Sequence, residues 1–200
     1  MKTTIFTVFF SLVLLPWHTG ASTLHPESTF GDFADTDSVP ASELGVFGIG
    51  MHIVAGTFGD DGNNNDDGDV FTFTIPTGTQ LTSINLTTYT TTGDPGGGSF
   101  FAIAIGKTVG TTMQTAGNHL SNMLVSETGE LLDDLAAGAM FGSSALTAPL
   151  SAGDYAIFLH ETSTQVDFAL SFDVQSIPEP ASISFGLGSL VCLLLKRRSS

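Results

Sequence analysis

The densest group of side chains that could do chemistry lies in residues 59–71, GDDGNNNDDGDVF, where Asp and Asn recur between glycines. Their oxygens are the ligands that a hard cation such as Ca²⁺ prefers, and a tight loop can supply the roughly six to eight contacts that this ion takes. The pattern predicts a Ca²⁺ site, with these candidate ligands: Asp60, Asp61, Asn63, Asn65, Asp67 and Asp69.

The same segment has a simpler interpretation. The run from Asn63 to Gly68 matches the start of an EF-hand loop, but the position that should carry a bidentate Glu is Thr74. Asn, Asp and Gly are also the commonest turn formers. A solvated turn therefore stays open as the alternative to a metal site.

Catalytic patterns are absent from the sequence. The histidines His52, His119 and His160 are not part of a His-Glu-x-x-His motif, and no Gly-x-Ser-x-Gly motif occurs. The only cysteine, Cys192, lies in a C-terminal apolar run, so the body of the chain has no thiolate. We predict that the protein is not an enzyme. A secreted hydrolase with an unrecognised carboxylate pair is the less favoured alternative.

The charge of the chain is strongly negative. It has 20 Asp and Glu against 5 Lys and Arg, and a formal net charge of −15. Lys107 is the only Lys or Arg between residues 23 and 177. Such a surface repels phosphate backbones and attracts divalent cations. Nucleic acid is therefore excluded as a partner.

The N-terminus has the order of a secretory signal peptide. In MKTTIFTVFFSLVLLPWHTGAST, a basic start at Lys2 precedes an apolar segment and then small residues up to Ala21. We expect residues 1–21 to be removed and the protein to be exported. Residues 22–43 contain Pro, Asp and Ser without periodicity, which favours a flexible lead-in.

The C-terminus predicts a short membrane helix. The uncharged run from Ala181 to Leu195 would be about 22 Å long as a helix, against a hydrocarbon core of about 30 Å. It ends in Lys196, Arg197 and Arg198, which the positive-inside rule keeps on the cytoplasmic side. Insertion would be transient if the tail is removed; a plain short anchor is the alternative.

The triplet Pro178, Glu179 and Pro180 precedes that apolar run and its basic end. In this order, residues 177–200 resemble the PEP-CTERM sorting signal of Gram-negative bacteria. The resemblance implies recognition by a membrane protease-transpeptidase called exosortase, which would detach the body. It also implies an inner-membrane intermediate, a final place at the cell surface or outside the cell, and a role with exopolysaccharide or biofilm.

Residues 44–176 have the pattern of short strands separated by Gly, Asp and Pro. In VDFALSFDV, alternate residues from Val166 to Val174 are apolar, which is typical of a half-buried antiparallel strand. ETGELLDDLAAGAMF has helical spacing around Leu131 to Leu135 and a stop at Gly138. We predict an all-β protein, an antiparallel two-sheet β-sandwich with a jelly-roll-like topology and one short helix.

Two sequence segments show a second resemblance: GDVFTFTIPTGTQLTSINLTTY and LSAGDYAIFLHETSTQVDFALSFDV. Both are similar to the bacterial pre-peptidase C-terminal domain. That resemblance implies a non-catalytic jelly-roll accessory domain of a secreted protein.

Together these features favour a non-enzymatic exported protein of the cell surface or extracellular matrix. The alternative is a binding module for Ca²⁺ or for extracellular polysaccharide.

Overall fold

The computed structural model describes residues 22–35, 41–60, 66–111, 118–137, 140, 143 and 146–178. The predicted signal peptide and C-terminal helix lie outside these residues. Within the described ranges, no helix is long and apolar enough to cross a bilayer.

The described chain is mostly β. Its elements, in chain order, are β1 (Thr23–Pro26), α1 (Glu27–Phe30), β2 (Ser42–Val46), β3 (Gly50–Asp60), β4 (Asp66–Ile75), β5 (Thr79–Thr91), β6 (Ser99–Ile105), β7 (Ser121–Val125), β8 (Gly129–Glu130), α2 (Leu132–Ala137), β9 (Gly153–His160) and β10 (Gln165–Ser176). The all-β class predicted from the sequence is confirmed.

The strands form one curled sheet in the order β7-β6-β9-β4-β3-β10-β5-β8. Neighbours along this path are antiparallel, but β1 pairs with β3 and β2 pairs with β4 in parallel. The path is antiparallel as predicted from the sequence, and the short strands β1 and β2 depart from that arrangement. Parallel pairing needs a long connection, and the segment between β1 and β3, which holds α1 and β2, supplies it.

Strands β3 and β4 separate after a short ladder, and we call this place the fork (residues 56–60 and 66–70). The two strands share only the pairs Gly59 with Asp67 and Asp60 with Asp66. Beyond the fork, β1 covers the free edge of β3, and β2 covers the free edge of β4. Backbone groups between these ladders must find other partners.

The main core gathers the buried apolar side chains of one face of the sheet. The alternating residues of β10 predicted to face one way are all buried, from Val166 at 0% exposed to Phe168 at 3%. Asp167 on the other face is exposed. In β4, Phe71, Phe73 and Ile75 belong to the same core. Full burial of such side chains is worth about 1.5–3 kcal/mol each, so this face dominates the stability.

The short helix predicted around Leu131 to Leu135 is present as α2, which buries Leu132 and Leu135. The structure adds a second helix, α1, of four residues.

Residues 22–35 differ from the flexible lead-in that the sequence indicates. They contain β1 and α1, and Phe33 is 1% exposed with its ring 5.3 Å from that of Phe71. One aromatic side chain in the core is the physical reason, since burying a Phe offsets part of the ordering entropy of the segment.

Candidate metal centre

Two acidic residues of β4 face the side of the strand that carries the core. Side chains alternate along a strand, so Asp67 and Asp69 point the same way as Phe71 and Phe73. Asp67 is half-buried, and Asp69 is 0% exposed. At the fork, two positions on the core-facing side of β4 therefore carry carboxylates instead of apolar side chains.

The Asp69 carboxylate has no hydrogen-bond donor of its own, and Glu27, with which a protonated Asp69 can share its proton, is another acid. Both side-chain oxygens are buried, and neither accepts a hydrogen bond from any group in the described part of the chain. An ionised carboxylate buried in this way costs several kcal/mol unless a proton or a cation neutralises it.

The N-terminal segment brings a second carboxylate to the fork. The Thr57 backbone N–H donates to Glu27 Oε2 at 2.9 Å, and the Phe33 N–H donates to Oε1 at 3.4 Å. Thr57 lies just beyond the β1 ladder, which ends at Ala55, so Glu27 satisfies a backbone donor that the strand leaves open. Gly56 makes room, because a β-carbon there would overlap the Glu27 carboxylate.

Five carboxylates form two overlapping groups at the fork. Glu27, Asp32 and Asp69 each place one oxygen within 4.8 Å of the others, and Asp32, Asp35 and Asp67 do the same. Asp32 belongs to both groups. Ca²⁺–oxygen distances of about 2.3–2.6 Å allow ligands on opposite sides of the ion to lie about 5 Å apart, so each group is compact enough to surround one cation.

The electrostatics of the site favour a positive ligand. Burial, followed by the nearby carboxylates of Glu27, Asp67 and Asp32, raises the pKa of Asp69 to about 10. Burial also raises the pKa of Glu27, against the opposing effect of the hydrogen bonds from Thr57 and Phe33. The Asp69 carboxyl thus holds its proton at neutral pH, and a divalent cation would compete with that proton.

The histidines near the N-terminus do not join either group of ligands. His25 Nε2 lies 3.5 Å from His52 Nδ1, and His52 Nε2 lies 2.9 Å from the Gly48 carbonyl oxygen. The His52 ring stacks on Phe47 with centroids 4.3 Å apart. Burial, and then the neighbouring His52, lowers the pKa of His25. These rings pack as part of an aromatic cluster, and the donor set at the fork is oxygen alone.

The structure divides the ligands predicted from the sequence. Asp67 and Asp69 lie in the two carboxylate groups. Asp60 is in β3, paired across the fork with Asp66, and belongs to neither group. Asp61, Asn63 and Asn65 lie outside the described residues. Of the predicted sorting triplet, Pro178 is exposed, while Glu179, Pro180 and the basic end at Lys196, Arg197 and Arg198 also lie outside them.

Three members of the site were missed in the sequence: Glu27, Asp32 and Asp35. They lie in the segment that lacks periodicity, and no local pattern ties them to β4. The sequence does indicate that Asp69 faces the core. In DVFTFTI, Asp69 lies in the same alternating set of positions as the apolar residues Phe71, Phe73 and Ile75.

No known protein family matches this chain, and no curated protein matches it either.

Proposed function

We propose that this chain is a non-enzymatic, exported β-sandwich protein that binds a divalent cation at the fork. The observation that carries the proposal is Asp69: a carboxylate that is 0% exposed, has no hydrogen-bond donor and faces other carboxylates. A bound cation satisfies its oxygens and offsets the repulsion among its neighbours.

Ca²⁺ suits the donor set best. All the candidate ligands are carboxylates, and neither group contains a histidine or a cysteine, which a zinc site would favour. Mg²⁺ keeps several waters and demands a regular octahedron, whereas Ca²⁺ accepts six to eight oxygens, roughly, in flexible geometry. Asp69 offers an inner ligand shielded from water, and the exposed Asp32 and Asp35 leave room for water on the outer side.

The same proposal includes the way in which the strands are layered. We infer that the curl folds the sheet into two packed layers, with β3, β10 and β5 facing β4, β9 and β6 in a jelly-roll-like sandwich. The ring of Phe172 on β10 lies 5.1 Å from that of Phe73 on β4, although these strands are not hydrogen-bonded neighbours. Contact between strands that do not pair supports layers stacked face to face.

Location and partners are proposed from the ends of the sequence. A signal peptide at residues 1–21 would export the body, and an exosortase would process the tail near Pro178, Glu179 and Pro180. The body would then work at the cell surface or in the extracellular matrix, with exopolysaccharide as its surroundings. An acidic domain fits this role, because divalent cations are abundant partners of acidic surfaces.

Calorimetric titration of the full-length chain with Ca²⁺ tests the cation site. We expect saturable binding with a Kd on the order of 10⁻⁴–10⁻³ M, as in extracellular Ca²⁺ modules. Asp69→Asn should abolish the heat, while the matched control Asp167→Asn, which removes an exposed acid of β10, should keep it. Absence of heat from the unaltered chain at millimolar Ca²⁺ would refute the site.

Sorting has its own test. Replacement of residues 178–180 by alanine should trap the protein in the membrane fraction, and the mass of the mature protein should report removal of both ends. Unchanged release into the medium would contradict the sorting proposal and leave the cation site untouched.

A further inference from the structure

The cation site is assembled from two separate parts of the chain. Glu27, Asp32 and Asp35 come from residues 22–35, which we call the N-terminal strap, while Asp67 and Asp69 come from β4. Each group of three contains at least one residue from each part. A cation bound there would touch both parts at once.

Contacts outside the site also hold the strap in place. β1 pairs with β3 over four residues, from Thr23 with His52 to Pro26 with Ala55. Further along the strap, Phe33 enters the core, and the Val70 N–H donates to the Ala34 carbonyl oxygen at 2.8 Å. The buried His25 ring also packs against Phe47, so a cation would add to this docking. A short segment at the edge of a sheet still opens at less cost than the central strands.

Electrostatic repulsion opposes the docking of the strap. The strap contains no Lys or Arg, and it places Glu27 and Asp32 against Asp69 and Asp67. Lys107, the only Lys or Arg between residues 23 and 177, pairs with Glu43 at 2.8 Å. The proton held by Asp69 relieves part of this repulsion, and a bound cation would relieve the rest.

We propose that the cation fastens the N-terminal strap to the body, so that metal binding and strap docking are one coupled equilibrium. This inference rests on the proposed cation site. A ligand that contacts both parts binds only the docked state, so it shifts the strap toward docking by its differential affinity. Release of the ion would expose the edge of β3 from His52 to Thr57, and Phe33 would leave its position in the core.

Hydrogen exchange with mass spectrometry on the full-length chain tests the coupling. Peptides that cover the strap, the edge of β3 and Val70 should exchange about tenfold more slowly at a saturating Ca²⁺ concentration than in EDTA. Peptides from the exposed turn around Gly96, which exchange without global unfolding, should not change. Titration calorimetry on the same sample reports whether Ca²⁺ binds.

The two readouts separate the two proposals. Heat of binding with unchanged exchange of the strap would overturn the strap inference and leave the cation site standing. Absence of both the heat and the change in exchange would overturn the site and the inference with it.

Gly56→Ala is a variant that displaces the strap residue Glu27 from the site. The added methyl group overlaps the Glu27 carboxylate, which must swing away from the Thr57 and Phe33 N–H groups, while Asp69 is left in place. We expect the Ca²⁺-dependent protection of the strap to be lost. Gly129→Ala is the matched control, because nothing lies within 4 Å of a β-carbon built there. Retention of the full tenfold or so protection in Gly56→Ala would contradict the inference.

Discussion

Asp69 and Glu161 are both buried carboxylates, at 0% and 5% exposed, but their surroundings differ. Glu161 follows β9, and its Oε1 accepts hydrogen bonds from the backbone N–H groups of Thr162 at 2.9 Å and Ser163 at 3.0 Å. Its Oε2 accepts from Ser99 Oγ at 3.1 Å. Asp69 has no such donor and faces other acids.

The difference between these carboxylates shows that burial alone does not mark a ligand. Glu161 organises the turn between β9 and β10 by satisfying its backbone donors, as a capping side chain does. At Asp69 the protein supplies further carboxylates in place of N–H donors, so a proton or a cation must neutralise this carboxyl. The supply of donors, rather than depth, separates a structural acid from a candidate metal ligand.

The largest expected effect concerns stabilisation by Ca²⁺. At a concentration about a hundredfold above Kd, the ion should add about 3 kcal/mol to the free energy of unfolding of the unaltered chain. Glu161→Gln should keep this increment, and Asp69→Asn should lose it. Thermal unfolding with and without Ca²⁺ measures both, and an equal loss in the two variants would erase the distinction.

The second effect concerns stability without Ca²⁺, to which Glu161 should contribute more than Asp69. In EDTA, Glu161→Ala should lower the free energy of unfolding by about 2 kcal/mol, because it removes the acceptor of the Thr162 and Ser163 N–H groups. Asp69→Leu should leave the stability in EDTA unchanged or raise it, because it removes an unpaired buried acid. Urea unfolding compares them; a large loss in Asp69→Leu would mean that Asp69 has a structural partner.

The third effect is a dependence on pH. The pKa of Asp69 is about 10 in the folded chain and ordinarily near 3.8, so the folded state holds a proton that the unfolded state has lost between these values. Stability in EDTA should therefore fall as pH rises, by about 1 kcal/mol per pH unit from this group. Unfolding at pH 6 and 7 should show this slope in the unaltered chain and a smaller slope in Asp69→Asn.

The smallest effect concerns an exposed carboxylate. Glu43 pairs with Lys107 at 2.8 Å, but both side chains are more than half exposed, at 66% and 52%. Solvent screens such pairs, so Glu43→Gln should leave the midpoint of thermal unfolding unchanged within error. A clear drop would show that surface acids also matter to this fold.

The sequence predicts what local patterns encode and misses what distant segments build together. Alternation from Val166 to Val174 was enough to assign β10 and its buried face, and the spacing of Leu132 and Leu135 was enough for α2. The Asp-rich segment drew attention to Asp67 and Asp69 because their residue types suit Ca²⁺. Glu27 reaches Asp69 only through the parallel ladder of β1 on β3, and no local period records that pairing.

Gly56 has a consequence for how this protein can vary. The Glu27 carboxylate occupies the space that a side chain at position 56 would fill, so the two positions share one volume. Among homologous chains that keep the site, an acid at position 27 should occur together with glycine at position 56. Chains with a larger residue at 56 should have lost the acid at 27. This covariation would record the cation site in sequences alone.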